Sequence, residues 1–337
     1  MTEAELEGVL SAPTTAVVAA LGRVAGDILI VGVGGKMGPS LARLAVRASE
    51  AAGVERRVIG VSRFSAAATR EALEASGVHT VACDLFDRHA VDRLPDAPNV
   101  VYMVGRKFGT GADQPATWAT NAYLPGLVAE RFAGSRIVAF STGNVYPLSP
   151  VSGLGPAEDA AVEPIGEYAQ AALARERVLE FFSRRNRTPM AILRLNYAIE
   201  PRYGVLRDIA DRVFAGQPID LGTGFVNVIW QRDANAIALR ALERCAVPPF
   251  VLNVTGVPAI AVRDLAAAFA ERFGVEPRLE GVESATALLS NASRCREVFG
   301  EPPVSIDEMV DRVAAWMAVG GRSLNRATHF EEREGRF

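Results

Sequence analysis

The stretch Gly32-Val-Gly34-Gly35-Lys36-Met37-Gly38 spaces glycines at positions 32, 35 and 38, with a further one at 34. Glycines so spaced let a backbone turn tightly and approach a pyrophosphate, provided that a buried strand leads in and a helix N-terminus lies behind to attract the anion. Gly32, Gly34, Gly35, Lys36, Met37 and Gly38 are therefore candidate dinucleotide-binding residues, with Lys36 adding positive charge. The next apolar run ends Val61-Ser62-Arg63, where an NAD-specific site would carry an acidic residue for the adenosine ribose. Ser62 and Arg63 offer instead a hydroxyl and a planar guanidinium, which suit a 2′-phosphate, so NADP is favoured over NAD.

Of 36 basic side chains only Lys36 and Lys107 are lysine, a bias read as that of a GC-rich bacterial genome. Lys107 lies in Val104-Gly-Arg-Lys-Phe-Gly-Thr-Gly111, a loop whose Arg106-Lys107 pair suits an anionic substrate or cofactor phosphates. The histidines at 79, 89 and 329 are too scattered for a metal set, and Cys83, Cys245 and Cys295 contain no CxxC, so neither a metal site nor a disulfide framework is expected.

These groups need elements to hold them. Asp27 to Val31 is a short continuous apolar run, as expected of a parallel strand buried on both faces, and Pro39 to Glu50 has helical spacing. Strand and helix signals then alternate. Strands are expected over 57–61, 78–83, 100–104, 136–140 and 191–195; helices are expected over 66–76, 88–94, 114–132 and from Tyr168 to about Arg185. This pattern predicts an α/β, Rossmann-type doubly wound parallel sheet over 27–195. Two short helices precede it as an extension over 1–26, the second opening at Pro13-Thr-Thr. Residues 196–320 form a smaller C-terminal substrate lobe interleaved with the sheet, with strands at 225–230 and 250–254 and helices at 262–273 and 306–318. Residues 321–337 read as a polar, partly ordered tail. With 49% hydrophobic residues and a net charge of −3, the chain has no electrostatic case for nucleic acid or a membrane as partner. Its acidic first residues lack a signal-peptide start, so a cytoplasmic protein is expected.

Phe140-Ser141-Thr142-Gly-Asn-Val145-Tyr146 and Pro164-Ile-Gly-Glu-Tyr168-Ala-Gln-Ala-Ala172-Leu-Ala-Arg175-Glu176 resemble the Ser-(Ser/Thr)-x-x-Val-Tyr and Tyr-x-x-x-Lys segments of the extended short-chain dehydrogenases/reductases. That group includes the NAD-dependent nucleotide-sugar epimerases and dehydratases. Cys83-Asp84-Leu85-Phe86-Asp87 resembles its Asp-Leu-x-Asp segment, Asn121 its helix asparagine, and Ile192-Leu-Arg194-Leu-Asn196 its Leu-Arg-x-x-Asn segment. The resemblance covers residues 27 to 320. It implies that Tyr168 is the general acid/base, that Thr142 bonds the reacting oxygen, that Asp84, with Leu85, meets the adenine, and that Asn196 lies near nicotinamide and substrate. It also suggests a homodimer through the long helices at Gln114 and Glu167. Asp233 matches a segment with a structural role, Asp87 suits a helix N-cap, and Glu158, Asp159 and Glu163 read as a solvated loop.

One element of the pattern is missing: Ala172 stands where the family's lysine acidifies the tyrosine. A free phenol titrates near pH 10, so about one in a thousand is ionised at pH 7. Arg175 and Lys107 are the two candidate replacements; Lys107 joins Thr142, Tyr168 and Asn121 as a candidate catalytic residue. The expected protein is thus an NAD(P)-dependent enzyme acting on a hydroxyl or carbonyl of a small, sugar-like or anionic molecule. The alternative is an NAD(P)-binding sensor on the same fold that has lost catalysis.

Overall fold

The computed structural model describes residues 1–336. Five strands, β1 (Ile28–Val31), β2 (Val58–Ser62), β3 (His79–Ala82), β4 (Asn99–Tyr102) and β5 (Arg136–Thr142), join Met190–Leu195 and Phe250–Val254 in a seven-stranded sheet. From one edge the order is Phe250–Val254, Met190–Leu195, β5, β4, β1, β2, β3, and every pairing is parallel. The doubly wound sheet expected from the sequence is therefore present. The winding reverses between β1 and β4, and a crevice opens beyond the carboxyl ends of those two strands, where such sheets bind ligands.

Every residue of β1 and β4 is buried, because helices cover both faces of the sheet. Ile28 and Ile30 join one apolar cluster with Leu41 and Val101; Leu29 and Val31 join the opposite one with Tyr102 and Leu124. That alternation follows from strand geometry, and two buried faces explain an uninterrupted apolar run.

Two helices precede the sheet, Glu3–Leu10 and Thr15–Arg23. Thr14 caps the second through Val17 N, so the chain starts it where Pro13-Thr-Thr indicated. They serve different halves of the molecule: Val17 and Leu21 pack against the sheet, whereas Leu6 and Leu10 enter a second core with Ile209, Val213, Phe269 and Trp316.

Two expectations change. The strand anticipated at 225–230 is two separate two-residue strands, Phe225–Val226 and Ile229–Trp230, paired with different partners. Phe250–Val254 is an edge of the main sheet, which the C-terminal part therefore shares. The described part of the tail, 321–336, packs against the body at several points. Leu324 N donates to Arg202 O at 3.0 Å, Phe330 is buried in the second core, and Arg333 donates to Thr286 O and Thr286 Oγ1, each at 2.7 Å. Its polar side chains read as solvated because their partners lie far away in sequence.

Candidate active site

Two cavities adjoin at the carboxyl ends of β1 and β4. The larger, about 680 Å³, is a cleft lined by Gly32, Gly34, Gly35, Ser62, Arg63, Asp84, Leu85, Arg106, Lys107 and Arg326, among others. The glycines are needed by the backbone itself. Gly32 has φ +91°, and a Cβ on it would fall 2.8 Å from Val104; a Cβ on Gly34 would fall 2.6 Å from Ser62 Oγ. At Gly38, which starts the helix Gly38–Ala51, a Cβ would lie 2.2 Å from the Val33 carbonyl oxygen. The third glycine thus permits close helix–strand packing, and the helix N-terminus faces the loop. Asp84 Oδ1 accepts from Phe86 N at 3.0 Å, which orients it at the cleft wall, while Asp87 caps the following helix through Ala90 N. Arg63 has no ion pair with a described residue. A nicotinamide dinucleotide fits this cradle: backbone room at the turn, a helix N-terminus for the pyrophosphate and an unpaired cation at the far end.

The smaller cavity, about 170 Å³, is lined by Lys36, Lys107, Thr142, Asn144, Tyr168 and Asn196, together with Tyr197, Tyr203, Thr328 and others. Lys107 lines both cavities. Tyr168 and Thr142 line this cavity together, and the Thr142 hydroxyl is close enough to the Tyr168 phenol to favour its ionised form. Thr142 Oγ1 also donates to Asn144 Oδ1 at 2.9 Å and accepts from Asn144 N at 3.2 Å. Asn144 therefore fixes the threonine hydroxyl. Burial pushes the Tyr168 phenol above its ordinary value, and the positive charge of Arg175 and the nearby Thr142 hydroxyl offset that only in part.

Arg175 provides that positive charge from one helical turn beyond Ala172, within the helix Gly166–Asn186. Helical side chains lean toward the N-terminus, so its guanidinium reaches back to the neighbouring helix. Nε donates to Asn121 O at 3.3 Å, Nη2 to Asn121 Oδ1 at 2.7 Å and Nη1 to Phe140 O at 2.8 Å. Gly105 closes over it, and a Cβ there would meet Nη2 at 3.0 Å. Ala172 itself is fully buried against Val145 and Tyr146, an apolar contact with no place for an ammonium.

Asn121 lies in a π-turn, Ala119–Tyr123, that interrupts the long helix between Gln114–Trp118 and Leu124–Arg131. The extra residue in that turn rotates Asn121 inward, a common use of π-turns at functional sites. Its amide is committed at both ends: Oδ1 accepts from Arg106 N at 2.9 Å and Nδ2 donates to Arg106 O at 2.8 Å. It does not line the reaction cavity, so the expectation of a catalytic Asn121 becomes that of a positioning residue for the Lys107 loop and for Arg175.

Other candidates also shift. Lys36 and Met37 line the smaller cavity rather than the dinucleotide cleft, because Lys36 Nζ donates to Ala198 O at 2.8 Å and lies 4.1 Å from the Tyr203 ring centre. Asn196 is on the same side, held by its donation to Asn227 Oδ1 at 2.9 Å. Glu158 is not a free loop carboxylate; it accepts from Asn253 N at 2.8 Å. Asp233 bonds Arg232 and Val304 N and holds the fold together. Tyr197, Tyr203, Asn144 and Thr328 were not anticipated. Asn144 sits inside the Ser-Thr-x-x-Val-Tyr segment and Tyr197 directly follows Asn196 of the Leu-Arg-x-x-Asn segment, so both could have been noticed there; Tyr203 and Thr328 lie in irregular chain that carries no pattern.

Residues 28–247 match the family model described as the NAD dependent epimerase/dehydratase family. Among solved structures, the UDP-glucuronic acid 4-epimerase of Bacillus cereus, in complex with UDP-glucuronic acid and NAD, superposes with a TM-score of 0.72 at 16% identity, covering 87% of this chain and 99% of that one. The UDP-glucose 4-epimerase of Thermotoga maritima, with UDP-glucose, gives 0.70 at 19% identity, covering 87% and 99%. An epimerase from Methanothermobacter thermautotrophicus gives 0.73 at 17% identity, covering 91% and 96%. At such identities the likeness is one of fold. No curated protein matches the sequence.

Proposed function

Since the chain belongs to the NAD dependent epimerase/dehydratase family, we propose that it uses a nicotinamide dinucleotide to act on a hydroxyl or carbonyl carbon of a sugar-like molecule. The observation that carries this reading is that Tyr168 and Thr142 stand together at the wall of a small cavity adjoining the dinucleotide cleft. At about 170 Å³ the cavity is below the roughly 300–1,000 Å³ of drug-sized sites and suits one sugar ring. The dinucleotide, held by the glycine turn, Ser62, Arg63 and Asp84, supplies the hydride acceptor or donor.

The chain's own groups handle the proton. Thr142, oriented by Asn144, bonds the reacting oxygen and holds it against the Tyr168 phenol. In the reductive direction Tyr168 gives its proton to that oxygen; in the oxidative direction it takes the hydroxyl proton as phenolate. Arg175 stabilises the phenolate from a site that Asn121 and the Phe140 carbonyl keep rigid. This arrangement weighs against the sensor alternative, whose motive was the loss of a cation at Ala172. Substrate-dependent change of nicotinamide absorbance across a panel of sugar nucleotides tests the proposal; dinucleotide binding with no turnover of any of them would favour the sensor.

The unpaired Arg63 at the cleft's end supports NADP as the preferred cofactor. Arg63→Ala should weaken NADPH binding about 10- to 100-fold, the worth of one or two charge-assisted hydrogen bonds, and leave NADH nearly unchanged. Fluorescence titrations of both cofactors measure this, and an equal loss for the two would refute the assignment.

An apolar groove between the Asn121 and Tyr168 helices supports the homodimer. It is lined by Trp118, Tyr123, Leu127, Val178 and Phe182, among others, with Trp118 and Tyr123 exposed and Phe181 exposed nearby. A patch of exposed aromatics on neighbouring helices is what a second copy would cover. Sedimentation should show a dimer that Tyr123→Arg with Phe181→Asp converts to a monomer; an unchanged sedimentation coefficient would exclude this face.

A further inference from the structure

The residues lining the dinucleotide cleft come from positions 32 to 124 with one exception, Arg326, which the tail delivers. The tail is pinned on both sides of it. Leu324 N donates to Arg202 O at 3.0 Å, and Thr328 N and Oγ1 donate to Asp208 Oδ2 at 2.8 and 2.6 Å. Lys107 Nζ donates to Thr328 O at 3.3 Å, which ties the same turn to the loop after β4. Asn325 and His329 have left-handed backbone, with φ +51° and +54°, a conformation that these two residue types adopt more readily than most. Backbone and bonds to the body thus set the direction of the turn that carries Arg326. Its guanidinium is uncommitted: the residue is exposed and makes no hydrogen bond or ion pair with a described residue. The neighbouring Arg106, by contrast, pairs with Asp113 at 3.4 Å. The Arg326 charge bears on the Tyr203 phenol, which lines the reaction cavity, so the guanidinium stands where cleft and cavity adjoin. Ser62, Arg63 and Asp84 mark the adenosine end.

The glycine turn and the N-terminus of the helix Gly38–Ala51 offer backbone N–H groups to a pyrophosphate. That group has more oxygens than one turn can serve, and the rest need other donors or water. We propose, resting on the dinucleotide-dependent reading above, that Arg326 is a further cofactor-binding residue whose guanidinium bonds the pyrophosphate. A planar fork of N–H donors can hold two phosphate oxygens at once, and a bond between opposite charges is stronger than a neutral one. Because the turn is already held at Leu324 and Thr328, only the side chain of Arg326 has to be ordered on binding, which keeps the entropic cost small. The pyrophosphate is common to NAD and NADP, so Arg326 should serve both cofactors alike, whereas Arg63 serves only the one with a 2′-phosphate.

Fluorescence titrations of NADH and NADPH on the full chain, wild type against Arg326→Ala, test the assignment. The substitution removes an exposed side chain that bonds no described residue, so the melting temperature without cofactor should stay where it is. Both affinities should fall by the same factor, about tenfold, the lower worth of a hydrogen bond between charged groups. Arg326→Lys should recover part of the loss, since it keeps the charge and not the fork. Hydrogen exchange gives a second readout: a bond formed only with the tail docked holds the tail down. The amides of Leu324 and Thr328 should therefore exchange about tenfold more slowly at saturating cofactor in the wild type, and with little change in Arg326→Ala. Affinities unchanged in the alanine variant, a loss confined to NADPH, or wild-type exchange that the cofactor leaves as it was would each overturn the role of Arg326 while the dinucleotide reading stands. A wild type that binds neither cofactor would overturn both.

Discussion

Tyr168→Phe should lower turnover about 10²- to 10⁴-fold, the usual worth of a positioned general acid–base, with NADPH affinity nearly unchanged. The ring stays, so packing in the helix Gly166–Asn186 is kept and only the phenol oxygen is removed. The wild-type pH dependence should also differ between directions. Burial holds the phenol above its ordinary value, so it is protonated at neutral pH. Reduction, which consumes that proton, should be flat across the neutral range, while oxidation, which needs the phenolate, should rise about tenfold per pH unit below the phenol's pKa. Steady-state rates in both directions, at saturating cofactor, check this. Unchanged turnover in the phenylalanine variant would remove Tyr168 from the chemistry.

Arg175→Met should slow oxidation about ten- to a hundredfold and move the rising limb of its pH profile up by about one unit, since a nearby cation favours the phenolate. Reduction should suffer less, because the protonated phenol needs no countercharge. The Phe140 carbonyl would lose a donor, which adds about 1–3 kcal/mol of destabilisation visible in thermal melts. The profile separates the two effects: a purely structural role would lower the melting temperature and leave the limb where it was. Arg175→Lys should restore the limb in part, because charge is kept while the fork that spans Asn121 and Phe140 is lost.

What could be read in advance follows from which residues carry a period or a fixed spacing. β1 was legible because burial on two faces leaves a continuous apolar run, and the glycine turn because Gly32 and Gly38 each answer a steric demand of the backbone. Tyr168 and Thr142 lie in segments of recognisable order. The position of Lys36 was not legible, since a side chain leaving a tight turn can point to either side of it, and the Ala198 carbonyl that captures it is supplied by a distant segment. Arg175 was legible only as a possibility. Its reach depends on the missing Cβ at Gly105 and on a π-turn that rotates Asn121 toward it, and neither has a sequence period. Tyr203 and Thr328 come from irregular chain, where no pattern assigns a direction to a side chain.

The tail spans both chambers: Arg326 lines the dinucleotide cleft, Thr328 the reaction cavity, and Gly335 abuts Gly166 at the start of the helix that carries Tyr168. The two chambers therefore share a wall whose docking has its own free energy. Any ligand that favours the docked tail in one chamber lowers the ordering cost in the other, and linkage makes the gain in affinity the same in both directions. Any ligand-dependent docking of this segment, which belongs to neither the sheet nor the helices around it, would therefore couple cofactor and substrate.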